Sequence, residues 1–337
     1  MKLLITGGAG FIGSNFARYC ISQSIDDFVI ADALTYAGVR ASLEGIDTEF
    51  YSTDITDTAA VNAIVRKHKI DCIVNFAAES HNSFAIENPT IFFQTNAMGT
   101  QSLLEVARAN DIRFHHISTC EVYGDLDLDS DDMFSESSPL KPRTPYNASK
   151  AAADMATRAY FLTYNTQITI SNCANNYGPY QFPEKLIPLF TTLALQDFDL
   201  PMYKSKDNLR EYLHVEDHCR AILSILDKGR IGETYNIGSG FEASVEQVAD
   251  QILDILGKPH SLKTIVPDRP SHDKRYLLDS SKITNELGWQ PEIEFGAGLK
   301  ETINWYQENT DWWQALVGRS PVKETGWGEY KSTNSSS

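Results

Sequence analysis

The fold turns on KLLITGGAGFIGSNF, residues 2–16. A short β-like run, 2–6, passes at once into glycines at 7, 10 and 13, and then into residues 14–22 with helical spacing. Glycine allows the tight turn that joins a strand to a helix, and it lets backbone amides approach a bound phosphate closely. The helix that follows turns its unpaired N–H groups and positive dipole end toward the same spot. A glycine pattern alone also fits an ordinary strand–helix turn. Its context adds weight, because FVIAD (28–32) reads as the next strand and ends in Asp32, 19 residues past Gly13. An acid there accepts hydrogen bonds from both ribose hydroxyls and repels a 2′-phosphate, which favours NAD over NADP.

Outward from this unit the rhythm continues. DCIVNFAA (71–78), FHHIST (114–119) and QITISNCAN (167–175) read as further buried strands, separated by helices over 58–68, 89–110 and 147–163. Apolar runs alternating with helices predict an α/β fold, a doubly wound parallel sheet of the Rossmann type. The second half is less regular. Helices are expected over 184–196, over 244–257 (closed by Gly257) and over 299–316, with a strand at 233–239. The polar, turn-rich segment 178–210 is expected to leave the sheet. The expected organisation is an NAD-binding domain over 1–177, to which 211–239 returns, and a smaller, discontinuous α/β substrate-binding domain from 178–210 and 240–330. Residues 331–337 read as a disordered tail. The acidic stretch DLDLDSDD (125–132) reads as a solvated loop rather than a metal site.

Bulk properties narrow the partners. A formal charge of −16 argues against nucleic acid and anionic membrane surfaces. No run approaches the ~20 apolar residues of a spanning helix, and the glycines arrive too early for a signal peptide. The five cysteines form no CxxC pair and no metal spacing with histidine. No metal is expected, and unpaired thiols point to the cytoplasm.

Tyr146 and Lys150 stand in PYNASK, four apart and so on one helix face. A phenol near pKa ~10 is a poor base at neutral pH, but an adjacent ammonium stabilises its phenolate. Alone, the pair also fits a packing tyrosine and a surface lysine. Together with the glycines and with Thr119 at a strand end, it reads as chemistry. TGGAGFIGSNF (6–16), DALTYAG (32–38), NFAAESH (75–81), HHISTCEVYGD (115–125), PYNASKAAAD (145–154), NCANNYGPYQFPEKLIP (172–188) and DRPSHDKRY (268–276) carry a resemblance along nearly the whole chain. It is to the extended short-chain dehydrogenase/reductase family, and within it to the nucleotide-sugar 4,6-dehydratases.

The resemblance implies a mechanism. Tyr146, assisted by Lys150 and Thr119, takes the sugar 4-hydroxyl proton while NAD accepts hydride from C4; Glu121 abstracts the acidified C5 proton; the 6-hydroxyl leaves as water; hydride returns to C6. To the cofactor it assigns Gly7, Gly10, Phe11, Ile12, Gly13, Asp32, Thr35, Asp54, Ile55, Ala77, Ala78 and Asn96, besides Tyr146 and Lys150. To the substrate it assigns His81, Asn175, Asn176, Glu184, Lys185, Leu186, Asn208, Arg210, Arg275 and Tyr276. An arginine fork suits a diphosphate, which makes Arg210 and Arg275 the leading candidates there. Helices 89–110 and 147–163 match those that form a four-helix homodimer interface in the family.

Two departures stand out. The family's Thr-Asp-Glu is Thr119-Cys120-Glu121 here, and a thiol near pKa ~8.5 is a much weaker acid than a carboxyl near ~3.9. Cys120 donates the proton itself, or Glu121 both takes and gives it, or Cys120 only packs. The usual H-V-D-R-S reads His81-Asn82-Ser83-Phe84-Ala85, a less charged wall. Both departures favour UDP-N-acetylglucosamine over dTDP-glucose as substrate. The rival readings are a UDP-GlcNAc 5,6-dehydratase, a UDP-glucuronate decarboxylase, a C4-epimerase and, from another class, a non-catalytic nucleotide-sugar-binding regulator.

Overall fold

The computed structural model describes residues 1–322. The expected tail at 331–337 lies outside them. Seven strands are laid down before any other sheet is complete: β1 (Leu3–Thr6), β2 (Phe28–Asp32), β3 (Phe50–Ser52), β4 (Cys72–Asn75), β5 (Arg113–Thr119), β6 (Ile168–Cys173) and, much later in the chain, β10 (Thr234–Ile237). Their order is β10-β6-β5-β4-β1-β2-β3, and every pairing is parallel. The reversal of order beside β1 makes this a doubly wound α/β sheet.

Full burial explains the near-continuous apolar strands, since alternate side chains enter cores on opposite faces. Leu3, Ile5 and Ile30 pack with Phe16, Ala17, Val215 and Ile222, under helices Phe11–Ser22 and Val215–Lys228. Leu4, Val29 and Ile73 pack with Val61, Ile64, Leu103 and Leu104, under helices Thr58–His68 and Thr100–Asn110.

Several expected boundaries shift. The single helix over 89–110 is an α-turn at Pro89–Phe92, a π-helical segment at Phe93–Gly99 and an α-helix at Thr100–Asn110. The strand expected over 167–175 breaks at Ala174. Beyond it, β7 (Asn175–Tyr177) joins a different sheet with β9 (Leu209–His214) and β11 (Glu242–Ser244), in the order β11-β9-β7. A two-stranded sheet pairs β8 (Leu200–Tyr203) with β12 (Lys263–Val266). These short strands escaped the sequence reading because runs of three to six residues carry too little periodicity. Helix Val245–Leu256 has the expected ends: a capping box between Ser244 and Gln247, and Gly257 in the left-handed conformation. The helix expected at 299–316 is two, Phe295–Glu308 and Thr310–Gln314. No described helix is long and apolar enough to cross a membrane.

Candidate active site

The turn after β1 is built for close approach. The Gly7 N–H donates to Ala31 O at 2.8 Å, and Gly10 N–H donates back to Gly7 O at 3.1 Å. Gly7 has φ +70°, and a side chain there would stand 2.4 Å from Ala77 N; one at Gly13 would stand 2.4 Å from Gly7 O. Helix Phe11–Ser22 begins at Gly10 with no capping side chain and no acid in its first turn, so its first amides remain available to an anion. Asp32 ends β2, 8% exposed. Its carboxylate accepts Ala9 N–H at 3.0 Å and Leu34 N–H at 2.7 Å. Burial raises its pKa, and these two bonds oppose the rise.

One cleft runs from these glycines into the molecule. Gly7, Gly10, Phe11, Ile12, Gly13, Asp32, Thr35, Asp54, Ile55, Ala77, Ala78, Tyr146 and Lys150, which the resemblance assigns to the cofactor, all line it. Glu79, Ser80 and Phe182 line it too, inside motifs that carry the resemblance but without an assigned role, and Thr53 and Thr95 line it without any sequence signal. An acid at the strand end, an uncapped helix and glycine-only spacing fit a dinucleotide with free ribose hydroxyls. Asn96 does not line the cleft. It sits in the π-helical segment, where its amide accepts from Glu79 N–H (2.9 Å) and donates to Glu79 O (2.9 Å) and Ser149 Oγ (2.8 Å). All three of its bonds go to protein, so it braces the cofactor loop instead of reaching into it.

At the inner end of the cleft, β5 stops at Thr119 and the chain turns through Cys120–Tyr123. Helix Pro145–Tyr164, capped by Thr144, brings Tyr146 and Lys150 to the same place. Thr119, Glu121, Tyr146 and Lys150 all line the cleft. The sequence expects Lys150 to favour the Tyr146 phenolate, and the protein around the phenol acts the other way. Burial first, and the Glu121 carboxylate second, push the phenol well above its ordinary value, while the Thr119 hydroxyl opposes them. The Lys150 ammonium donates to Ile117 O at 2.6 Å and lies 3.3 Å from His116 Nε2. Burial drives it down to about 8, against the pull of Asp154. Asp154 is itself raised to about 7 by burial; it stands 3.5 Å from His116 and accepts from Ser118 Oγ at 2.8 Å.

Glu121 is 8% exposed, and one of its oxygens accepts the Asn82 amide at 2.9 Å. Sequence reasoning flagged 81–85 only as a departure and did not foresee this contact. Cys120 is 1% exposed, packs with Val122, Tyr123 and Ala151, and does not line the cleft. Burial pushes its thiol well above the ordinary range.

The expected substrate residues fall into two groups. Asn175, Asn176, Glu184 and Lys185 line the same cleft. Asn175 Oδ1 is buried without a partner, a vacancy suited to a donor on a ligand. Asn176 lies 2.9 Å from His218 Nδ1, Glu184 accepts from Tyr36 at 2.8 Å, and Lys185 donates to Ser80 O at 2.6 Å. His81 caps helix Asn82–Glu87 by accepting Phe84 N–H at 3.2 Å, and burial lowers it to about 3; Leu186 begins helix Leu186–Leu195. Neither lines the cleft.

The second group gathers around Asp273. Arg210 donates to Asp273 O and Leu209 O, both at 2.7 Å, with its guanidinium 4.9 Å from the Tyr276 ring. Asn208 donates to Asp273 O at 3.0 Å, and Tyr276 donates to the Asp273 carboxylate. Burial first, with the Glu121 carboxylate adding to it, raises the pKa of both Asp273 and Tyr276, so the charge of Glu121 reaches this group. Arg275 is a correction. Its fork is filled by Glu242, with two contacts of 2.7 Å, and it also donates to Ser130 O. A phosphate there would have to displace a carboxylate. Among the described residues no cluster could hold a metal ion.

The chain is 44% identical to a dTDP-glucose 4,6-dehydratase of Shigella flexneri, over 93% of this chain and 94% of that one. It is 45% identical to a dTDP-glucose 4,6-dehydratase of Mycobacterium tuberculosis, over 94% and 96%. The dTDP-glucose 4,6-dehydratase of Streptomyces venezuelae, solved with NAD and TYD bound, superposes with a TM-score of 0.91 at 45% identity, covering 94% of this chain and 100% of that one. A UDP-glucose 4-epimerase of Thermotoga maritima reaches 0.86 at 27% identity, over 92% and 100%. Residues 4–302 match the family model described as GDP-mannose 4,6 dehydratase, and the chain belongs to that family.

Proposed function

We propose that this chain is an NAD-dependent hydro-lyase that converts dTDP-glucose to its 4-keto-6-deoxy product. The observation that carries the reading is the place of Glu121. It shares the inner end of the cofactor cleft with Tyr146, and its charge acts on Tyr146 and on Tyr276. A dehydrogenase or epimerase needs the tyrosine and lysine, but an acid beside them serves an elimination.

The chemistry supplied by bound NAD is hydride storage, from C4 of the sugar and back to C6. The residues do the rest. Tyr146 Oη holds the proton of the 4-hydroxyl, with Thr119 beside it. The Glu121 carboxylate removes the C5 proton that the 4-ketone makes acidic. Once protonated, Glu121 is the acid that gives that proton to the departing 6-hydroxyl. Cys120 packs in the core and does not line the cleft, so it is not placed to give the proton. Lys185 in the cleft wall and Arg210 beside Asp273 are the cations offered to the diphosphate, and Asn175 and Asn176 add polar groups to the same cleft.

The sequence departures favour UDP-N-acetylglucosamine. The relatives named for dTDP-glucose, alike over nearly their full lengths, support dTDP-glucose instead. A homodimer is part of the reading. Phe93, Met98, Met155 and Leu162 leave apolar side chains exposed on the helices over 89–110 and Pro145–Tyr164, a patch that suits a second copy. Five buried, unpaired cysteines suit a reducing compartment such as the cytoplasm.

The test is incubation of the NAD-loaded protein with dTDP-glucose, UDP-glucose, UDP-N-acetylglucosamine and UDP-glucuronate, read by mass spectrometry and NMR. Loss of one water from dTDP-glucose, with a methyl group at C5 in the product, is expected. Water lost only from UDP-N-acetylglucosamine would overturn the substrate, and loss of carbon dioxide or simple epimerisation would overturn the reaction.

A further inference from the structure

The Asn82 carboxamide has two polar ends, and each is committed. Its Nδ2 donates to Glu121 Oε2 at 2.9 Å, and its Oδ1 accepts from Thr144 Oγ1 at 2.8 Å. Thr144 is 3% exposed and caps helix Pro145–Tyr164, its hydroxyl oxygen accepting Asn147 N–H at 3.2 Å. A carboxylate only accepts, so the end of the amide that faces Glu121 is the N–H end, and Asn82 Oδ1 is left to accept the Thr144 O–H.

The arrangement joins three separate pieces of chain. Asn82 opens the helix Asn82–Glu87, Glu121 lies in the turn after β5, and Thr144 starts the helix that carries Tyr146 and Lys150. Residues at sequence separations of 39 and 62 are tied by two bonds through one side chain. Valine, of similar volume, would leave Glu121 Oε2 without this donor. Aspartate would set a second carboxylate against it.

We infer that Asn82, oriented by Thr144, is a positioning residue that aims the Glu121 carboxylate for removal of the C5 proton, in register with the helix bearing Tyr146. One oxygen of Glu121 is held by Asn82, which restrains rotation about its terminal torsion, while Glu121 lines the cleft. The role rests on the dehydratase reading above. It concerns the elimination and not the C4 oxidation, because the side-chain hydrogen bonds of Asn82 go to Glu121 and Thr144 and not to Tyr146 or Lys150.

That separation gives the test. Asn82→Val and Asn82→Asp are compared with wild type as NAD-loaded enzymes on dTDP-glucose, in steady state and in single turnover. Misplacing the base is expected to lower kcat by about tenfold to a hundredfold with KM within about twofold. Reduced cofactor should build up transiently, because C4 oxidation outruns elimination. The kinetic isotope effect with C5-deuterated substrate should grow. Thr144→Val should show the same partition more weakly, and Thr144→Ser should restore it. A variant with wild-type kcat would overturn the inference. So would one that loses oxidation and elimination in equal measure with no rise in reduced cofactor, since that is the mark of a merely structural defect. A wild-type enzyme that dehydrates none of the nucleotide-sugars overturns both this role and the function beneath it.

Discussion

Glu121 and Cys120 are adjacent in sequence and sit in different surroundings: one lines the cleft, the other enters the core. Two substitutions separate their contributions. Glu121→Gln keeps the shape and the side-chain oxygen but removes the base, and turnover should fall by about 10²–10⁴-fold, measured as release of 4-keto product. Cys120→Ala should keep turnover within about threefold while costing about 1 kcal/mol of stability in urea unfolding, the order expected for one buried atom removed. Equal losses of activity in the two variants would return the acid step to the thiol. At this scale the sequence was informative where function needs a fixed residue type in a fixed motif, as with Tyr146, Lys150, Glu121 and Asp32. It was silent where function depends on pairing across the fold. Asn82 meets Glu121 only after the sheet forms, and Arg275 is taken by Glu242 through a contact no local pattern encodes.

The helical run over 89–110 shows what periodicity reads and what it misses. Its apolar spacing locates a helix, but the widened turn at Phe93–Gly99 has no such mark. Segments of this kind often sit beside functional sites, where they re-aim one side chain. Here that side chain is Asn96, which satisfies both backbone groups of Glu79 and reaches Ser149 on the helix of Tyr146. Asn96→Ala leaves those buried partners unpaired. It should cost about 2–3 kcal/mol in thermal or urea unfolding. It should also weaken NAD binding, measured by calorimetry, because Glu79 and Ser80 line the cofactor cleft. Loss of stability with unchanged NAD affinity would confine Asn96 to a packing role. The short strands β7 to β9, β11 and β12 lay beyond sequence reading for a related reason: their pairing partners, rather than their own residues, define them.

At the scale of the whole molecule, acid response and assembly are both open to measurement. Six histidines are held below their ordinary value by burial; His218, close to Asn176, is driven to about 3. Unfolded, such a side chain binds a proton near pH ~6.5, so from there down to about 3 the unfolded chain takes up protons the folded one refuses. Each of these histidines therefore adds stability as pH rises through that window and removes it as pH falls. Between pH 6.5 and 4.5 the wild type should lose about 2 kcal/mol more than His218→Gln, measured by denaturant unfolding at each pH. Assembly is tested by Met155→Glu, which puts a charge into the exposed apolar stripe where Met155 is 64% and Leu162 68% exposed. Sedimentation should find a dimeric wild type and a monomeric variant with its far-ultraviolet spectrum unchanged. The passage from β6 to β7 bears on how such an enzyme can be re-engineered. The chain crosses from the cofactor sheet to the small sheet over Ala174 alone, whose N–H is fixed to Ile237 O at 3.0 Å. A strand repeats every two residues, so one inserted residue would exchange the faces of Asn175 and Asn176. The small sheet is in effect a cartridge with a keyed socket: its loops can vary in length, but the joint at position 174 has to keep its own.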